Sequence, residues 1–370
     1  MTSENQMTQK EQESGAVFSG KAIAVLVAED HKEQIRLFCD LAKSLKGEFS
    51  FFLCVFSETP ESFIEEWQNR IPKCMTVHLV KLAPRVRLRS LIELGKNLKQ
   101  CDVKLIQAVG SKMIFPAHFM SKRFGFDWIL SLSLGEEHFN LFNKMMVPSA
   151  RQVEVELAKM LSSLPESLQG KAKAIFPALP RIRSTLAPED INDKKCEVTA
   201  FVDHKDPHQI KTVLSAFDLA RVQHPGWQLT IISDVPVQND FTNLVSRLKI
   251  ANCTKWQVGD ESWKRALLKS DVILVPGLKR GLVQKVAQAM AQGVALVSLA
   301  DLENEPGFAD EKTFRSFRPK NVTELALVLK QLGEQPDKRL QLARSGMALF
   351  NQQFSFKHLE QKKRQLYRMM

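Results

Sequence analysis

The chain has 370 residues, 44% of them hydrophobic and 25% charged, with a formal net charge of +11 and an isoelectric point near 9.3. That length exceeds one small core and suits two ordinary domains, and the balance of apolar and charged residues excludes a disordered chain. The positive charge favours anionic partners such as phosphates, nucleic acid or an acidic membrane surface, while nothing approaches the ~18 consecutive apolar residues of a membrane-spanning helix.

Residues 1–19 open as "MTSENQMTQKEQESG", a polar tail without the apolar centre of a signal peptide. Strand-like and helix-like segments then alternate. "KAIAVLVA" (21–28) reads as a buried strand, and residues 31–46 place Ile35, Phe38, Leu41, Ala42 and Leu45 on one helical face. "SFFLCVFS" is the next strand, "ESFIEEWQNRI" a helix, "TVHLVKL" a strand and 88–100 a helix. "VKLIQAVG", a helix around 112–124 and "DWILSLSL" continue the pattern. "NKMMVPS" is expected as a strand and "ARQVEVELAKML" as the helix after it.

Residues 165–196 are rich in proline and charge and read as a linker containing one short strand, "KAIFPAL". The alternation restarts with "EVTAFVD", helix 208–222, "WQLTIISD", helix 239–249, "CTKWQV", helix 261–268, "DVILVPG", helix 281–292 and "VALVSL". Helices near 322–333, 337–353 and 355–369 close the sequence. Continuous apolar strands separated by helices imply parallel sheets covered on both faces, because parallel crossovers need a helix. The expected fold class is α/β, two tandem Rossmann-like doubly wound domains facing a cleft. Residues 20–164 form the first domain, joined by the closing helix 355–370, and residues 197–354 form the second.

Six scattered cysteines, without a C-x-x-C pair or a nearby histidine pair, argue for reduced thiols and against a metal site. The expected compartment is the cytoplasm.

"SDVILVP" followed by "RGLVQKVAQAMAQGVALV" resembles the donor-pocket stretch of GT-B glycosyltransferases of the family-4 type. Asp271, Pro276, Gly281, Ala289, Met290, Ala291 and Gly293 carry the likeness, and Val213, Leu214, Ala216 and Phe217 fit the leucine-rich helix upstream. The resemblance covers roughly residues 20–370 in order and implies a nucleotide-sugar site in the second domain and an acceptor site in the first.

The positions that such a site uses are altered. The resemblance puts its phosphate-binding Arg and Lys at Asp203 and His208, and a carboxylate beside a phosphate is repulsive by ~1–4 kcal/mol. Its two glutamates fall at Arg280 and Gln288; Gln288 retains an acceptor for a ribose hydroxyl, whereas the guanidinium of Arg280 has none. Lys279 and Arg280 are alternatively phosphate contacts near a helix N-terminus, or a solvated basic loop. The loops "AEDHKEQ" and "DVPVQND" lack the glycines that let backbone approach a ligand. Histidines expected in the first domain fall at Gln107, Val109 and Ser133, while His31, His118 and His138 lie nearby in sequence.

These substitutions lead to the expectation of a glycosyltransferase-like, non-catalytic protein. It would regulate or scaffold glycan or surface-polysaccharide assembly beside another glycosyltransferase or assembly protein, without cofactor or metal. The rival is an active retaining transferase with an atypical nucleotide sugar. Arg85, Arg87 and Arg89 beside Leu88, Leu91 and Ile92 suggest peripheral contact with an anionic membrane at its inner face, against the plainer reading of a sheet-covering helix. Nucleic acid is not expected, since the phenylalanines sit in apolar runs and only one tyrosine is present.

Overall fold

The computed structural model describes residues 21–81, 88–133, 141–155, 159–175, 196–222, 224–236, 239–277 and 282–369. The first half runs β1 (Lys21–Ala28), α1 (Lys32–Ser44), β2 (Phe49–Ser57), α2 (Pro60–Trp67), β3 (Met75–Lys81), α3 (Leu88–Gln100), β4 (Val103–Val109), α4 (Ile114–Phe124) and β5 (Asp127–Leu132). Shorter pieces follow: α5 (Leu141–Met146), β6 (Gln152–Val155), α6 (Lys159–Ser163), α7 (Glu166–Gln169) and β7 (Ala172–Ala174).

The second half runs β8 (Glu197–Phe201), α8 (Pro207–Arg221), β9 (Gln228–Ser233), α9 (Asn239–Arg247), β10 (Thr254–Val258), α10 (Asp260–Leu267), β11 (Val272–Val275), α11 (Leu282–Gln292), β12 (Ala295–Leu299) and β13 (Arg315–Phe317). Three helices end it: α12 (Val322–Glu334), α13 (Pro336–Leu349) and α14 (Phe356–Met369). The chain divides into two units that part near residue 152, so that β7 and α14 belong to one unit, Val153–Met369 with Leu132–Asn140.

Strands order as β3-β2-β1-β4-β5-β6-β7 in a seven-stranded sheet and as β10-β9-β8-β11-β12-β13 in a six-stranded one. The pairings are parallel, for example Val25 with Leu53 and Gln107 in the first sheet and Ala200 with Ile231 and Leu274 in the second. The fold class is therefore the expected α/β class with two parallel sheets.

Alternate strand residues feed two cores in the second half, as a period of two demands. Val198, Ala200, Leu229, Ile231, Val272 and Leu274 pack with Val213, Leu214 and Phe217 of α8 and Leu325 and Leu329 of α12. Phe201, Ile232, Ile273 and Val275 pack on the other side with Trp263, Val286 and Met290. Each fully buried aliphatic or aromatic side chain contributes about 1.5–3 kcal/mol relative to exposure. In the first half β2 is buried along its whole length, which explains why "FSFFLCVFS" shows no polar alternation.

Residues 141–161 correct the sequence reading. "NKMMVPS" is the end of α5 and a 3-10 turn rather than a strand, and the expected helix over 150–161 contains β6. Glu154 disguised that strand: its carboxylate is buried and takes Lys363 Nζ at 2.5 Å, so the apolar face of Gln152–Val155 is no more than Val153 and Val155, too short to stand out from a helix-like segment. The short strand β13 was not anticipated either.

Candidate functional site

In the six-stranded sheet the connections depart in opposite directions from β8 and β11, and a crevice outside the C-terminal ends of such strands is the usual ligand position of an open α/β sheet. Within the second unit, the residues of interest gather around the end of β8.

The loop after β8 is held by its own carboxylates. Asp203 Oδ1 accepts the Lys205 N–H at 2.9 Å, and the Asp203 carbonyl accepts the Asp206 N–H at 3.0 Å. Asp206 is the N-cap of α8, taking the Gln209 N–H at 3.4 Å on Oδ1 and Gln209 Nε2 at 3.2 Å on Oδ2. Pro207 then opens the helix, whose first N–H would be orphaned in any case. The carboxylate of Asp203 thus folds the turn into α8, and His208 stands exposed on the first turn.

Gln288 lies on α11, which ends at Gly293 in the left-handed region (φ +67°). There the Gly293 N–H reaches Met290 O at 3.0 Å and the Val294 N–H reaches Ala289 O at 3.2 Å, a glycine-closed helix end. The Oε1 of Gln288 accepts the indole N–H of Trp263, a side chain of α10 that is fully buried. Trp263 meets Phe201, the last residue of β8, edge to face with ring centroids 5.4 Å apart.

One turn before Gln288, Lys285 is 7% exposed. Its Nζ lies 4.7 Å from the Phe201 centroid and 5.4 Å from that of Trp263, so the ammonium rests on two aromatic faces where cation–π attraction offsets part of its lost hydration. Lys285, Phe201, Trp263 and Gln288 thereby form one connected cluster. Sequence reasoning singled out Gln288 alone; the available signal was a lysine inside the otherwise buried run from Lys285 to Ala287. Lys279 and Arg280 lie outside the described residues.

In the first unit, Gln107 is fully buried on β4 and donates to Ser131 Oγ of β5 at 2.7 Å, and Val109 is buried too; Ser133, just past β5 and counted with the second unit, is also buried. His31 precedes α1 and is 3% exposed, with Nε2 3.9 Å from Asp30 Oδ1. Asp30 also binds Lys112 Nζ at 2.9 Å, an attraction that lowers its carboxyl pKa against the opposing effect of burial. Glu29 accepts the hydroxyl of Ser57 and, at 3.4 Å, the Glu58 N–H.

His118 is engaged structurally. Its Nδ1 lies 2.8 Å from Ser149 Oγ, which also receives Trp128 Nε1 at 3.2 Å and donates to Met146 O at 2.8 Å. Burial first, and then Lys122, lower the His118 pKa. His138, Arg85 and Arg87 fall outside the described residues, and Arg89 is paired with Glu93 at 3.2 Å across one helical turn.

No protein-family model matches the chain, and no curated protein matches its sequence. Solved structures do match its fold. A glycosyltransferase from Rickettsia africae superposes with a TM-score of 0.76 at 13% identity, covering 95% of this chain and 99% of that one. HepE from Anabaena, solved in complex with UDP, gives 0.71 at 15% identity over 94% of this chain and 100% of its own. Sucrose-phosphate synthase from Thermosynechococcus elongatus gives 0.67 at 17% identity over 94% and 98%. These neighbours are GT-B glycosyltransferases, and the likeness establishes that fold for this chain.

Proposed function

We propose that this chain is a GT-B-fold protein that no longer turns over a nucleotide sugar and serves as a non-catalytic regulatory or scaffolding member of glycan assembly, beside an active glycosyltransferase or assembly protein. The observation that carries the reading is the bond from Trp263 to Gln288. The acceptor atom that the resemblance reserves for a ribose hydroxyl already takes the indole N–H of Trp263, which turns the amide toward α10 and leaves a ligand only the second lone pair of Oε1. A ligand that needs both has to displace the buried N–H, at a cost of about 1–3 kcal/mol. Asp203 supports the same reading, since a carboxylate committed to its own turn replaces a phosphate-binding cation.

One observation favours the rival reading of an active transferase with an atypical donor. Lys285 brings a cation to the end of β8, where a diphosphate would need one. HepE was solved with UDP, so UDP and UDP-glucose head the ligands to test. The experiment is a thermal-shift panel of nucleoside diphosphates and nucleotide sugars on the full chain, together with a donor-hydrolysis assay. No shift at millimolar ligand and no turnover agree with the non-catalytic reading. A shift that disappears in Lys285→Met, together with turnover, overturns it.

A further inference from the structure

We propose that the outer face of α3 and α4 is a docking surface for an anionic lipid bilayer. The inference does not depend on whether the donor site is active.

Both helices follow one strand and lead to the next parallel strand, β3 to β4 and β4 to β5, and right-handed crossovers place them on the same face of the first sheet. Their contact is close: a Cβ on Gly95 of α3 would lie 2.2 Å from Phe124 Cε2 of α4, so Gly95 admits the neighbouring ring. The two helices therefore run side by side with their C-terminal ends together.

Helical spacing sorts their exposed residues into two stripes. On α3, Leu88, Ile92, Lys96 and Lys99 recur at i, i+4, i+8 and i+11; on α4, Phe115, Phe119 and Lys122 recur at i, i+4 and i+7. Leu88 is 52% exposed, Lys96, Lys99, Lys122 and Arg123 are exposed, and Phe115 and Phe119 are half-buried with centroids 6.1 Å apart. Each stripe thus begins apolar and ends basic.

The charge is uncompensated. The two helices carry five cations (Arg89, Lys96, Lys99, Lys122, Arg123) and one carboxylate, Glu93, which is already bound to Arg89. The acids next in sequence are taken as well, Asp102 by Lys104 at 3.7 Å and Asp127 by Arg151 at 2.5 Å. Among the described residues, Lys96, Lys99, Lys122 and Arg123 have no anionic partner. A face with bulky apolar groups at one end and unneutralised lysines at the other fits a membrane interface, where rings and aliphatic groups enter the headgroup boundary and lysines meet anionic lipid. It fits single-stranded nucleic acid less well, because Phe115 and Phe119 are half-buried on a helix rather than set out as a stacking platform.

The test is co-sedimentation of the full chain with phosphatidylcholine vesicles, alone and with about one-third phosphatidylglycerol; each basic residue near the surface is worth roughly fivefold in partitioning. Binding is expected only to the anionic vesicles, and it should fall as salt is added. Lys96→Glu with Lys99→Glu is expected to weaken it more than tenfold at an unchanged melting temperature, since both side chains are solvated. Leu88→Ser should remove the part that survives high salt. Equal recovery with both vesicle types overturns the proposal, as does undiminished binding by the charge-reversed variant. So does a short RNA that binds with the same sensitivity to charge reversal while the vesicles do not.

Discussion

The indole N–H of Trp263 and the amide oxygen of Gln288 satisfy one another across 25 residues of sequence, joining α10 to α11 at the end of β8. That bond fixes the Gln288 amide against α10 and occupies one of the two lone pairs of its oxygen.

Trp263→Phe keeps an aromatic ring against Phe201 and removes the donor, freeing Gln288 Oε1. The expected cost is about 1 kcal/mol of stability. If the indole is what excludes a nucleotide, the variant gains millimolar affinity for UDP where the parent has none, measurable by saturation-transfer NMR. Micromolar UDP binding by the unmodified chain contradicts the expectation.

Lys285→Met preserves volume and removes the charge over Phe201 and Trp263. Because the cation–π attraction offsets only part of the hydration that the buried ammonium has lost, the variant is expected to match or exceed the parent in unfolding free energy by urea titration. A larger loss than that of Trp263→Phe would identify the cation, rather than the hydrogen bond, as the main support of the cluster.

Lys363 Nζ and Glu154 form a buried pair at 2.5 Å, with side chains 4% and 5% exposed, beside the buried ring of Tyr367. Lys363→Met alone strands a buried carboxylate and is expected to cost about 3–5 kcal/mol. Combining it with Glu154→Leu should recover most of that loss, because an apolar pair replaces an ionic one. A double variant no more stable than the single one would show that the pair itself supplies net stability.

Burial pushes the thiols of Cys39 and Cys196 up to about 12 and that of Cys54 higher still. Unfolded thiols ionise near 8.5, so between about pH 9 and 12 the unfolded chain holds fewer protons than the native one. Their contribution is fully present below pH 8.5 and declines as pH rises, by about 4 kcal/mol per pH unit for three thiols. Chemical denaturation at stepped pH should show this slope, and Cys54→Ala should reduce it by about a third. In the native state a bulky thiol reagent is expected to label Cys101 first, because it is exposed while Cys74 is half-buried and the other four are buried.

The sequence exposed the sheets more readily than the site. β8, β9, β11 and β12 announce themselves as apolar runs bounded by turn residues, because strands covered on both faces need no polar alternation. β6 did not, since the alternation of Val153 and Val155 with Gln152 and Glu154 is only four residues long, and the lysine that makes the burial of Glu154 possible lies 209 residues away. At the site, resemblance pointed to positions near the end of β8, but the engagement of Gln288 was invisible, because its partner lies on another helix. Lys285 escaped notice for a related reason: lysine in a helix ordinarily faces solvent, and the rings of Phe201 and Trp263 that receive its ammonium lie on other elements.

The distance between Glu154 and Lys363 along the chain also sets a clock. At about 5–20 residues per second, synthesis delivers Lys363 some 10–40 s after Glu154. Throughout that interval β6 can pair with its neighbours only by keeping a carboxylate hydrated that the finished protein buries. The nascent first sheet therefore has a reason to stay loose around β6 until α14 arrives.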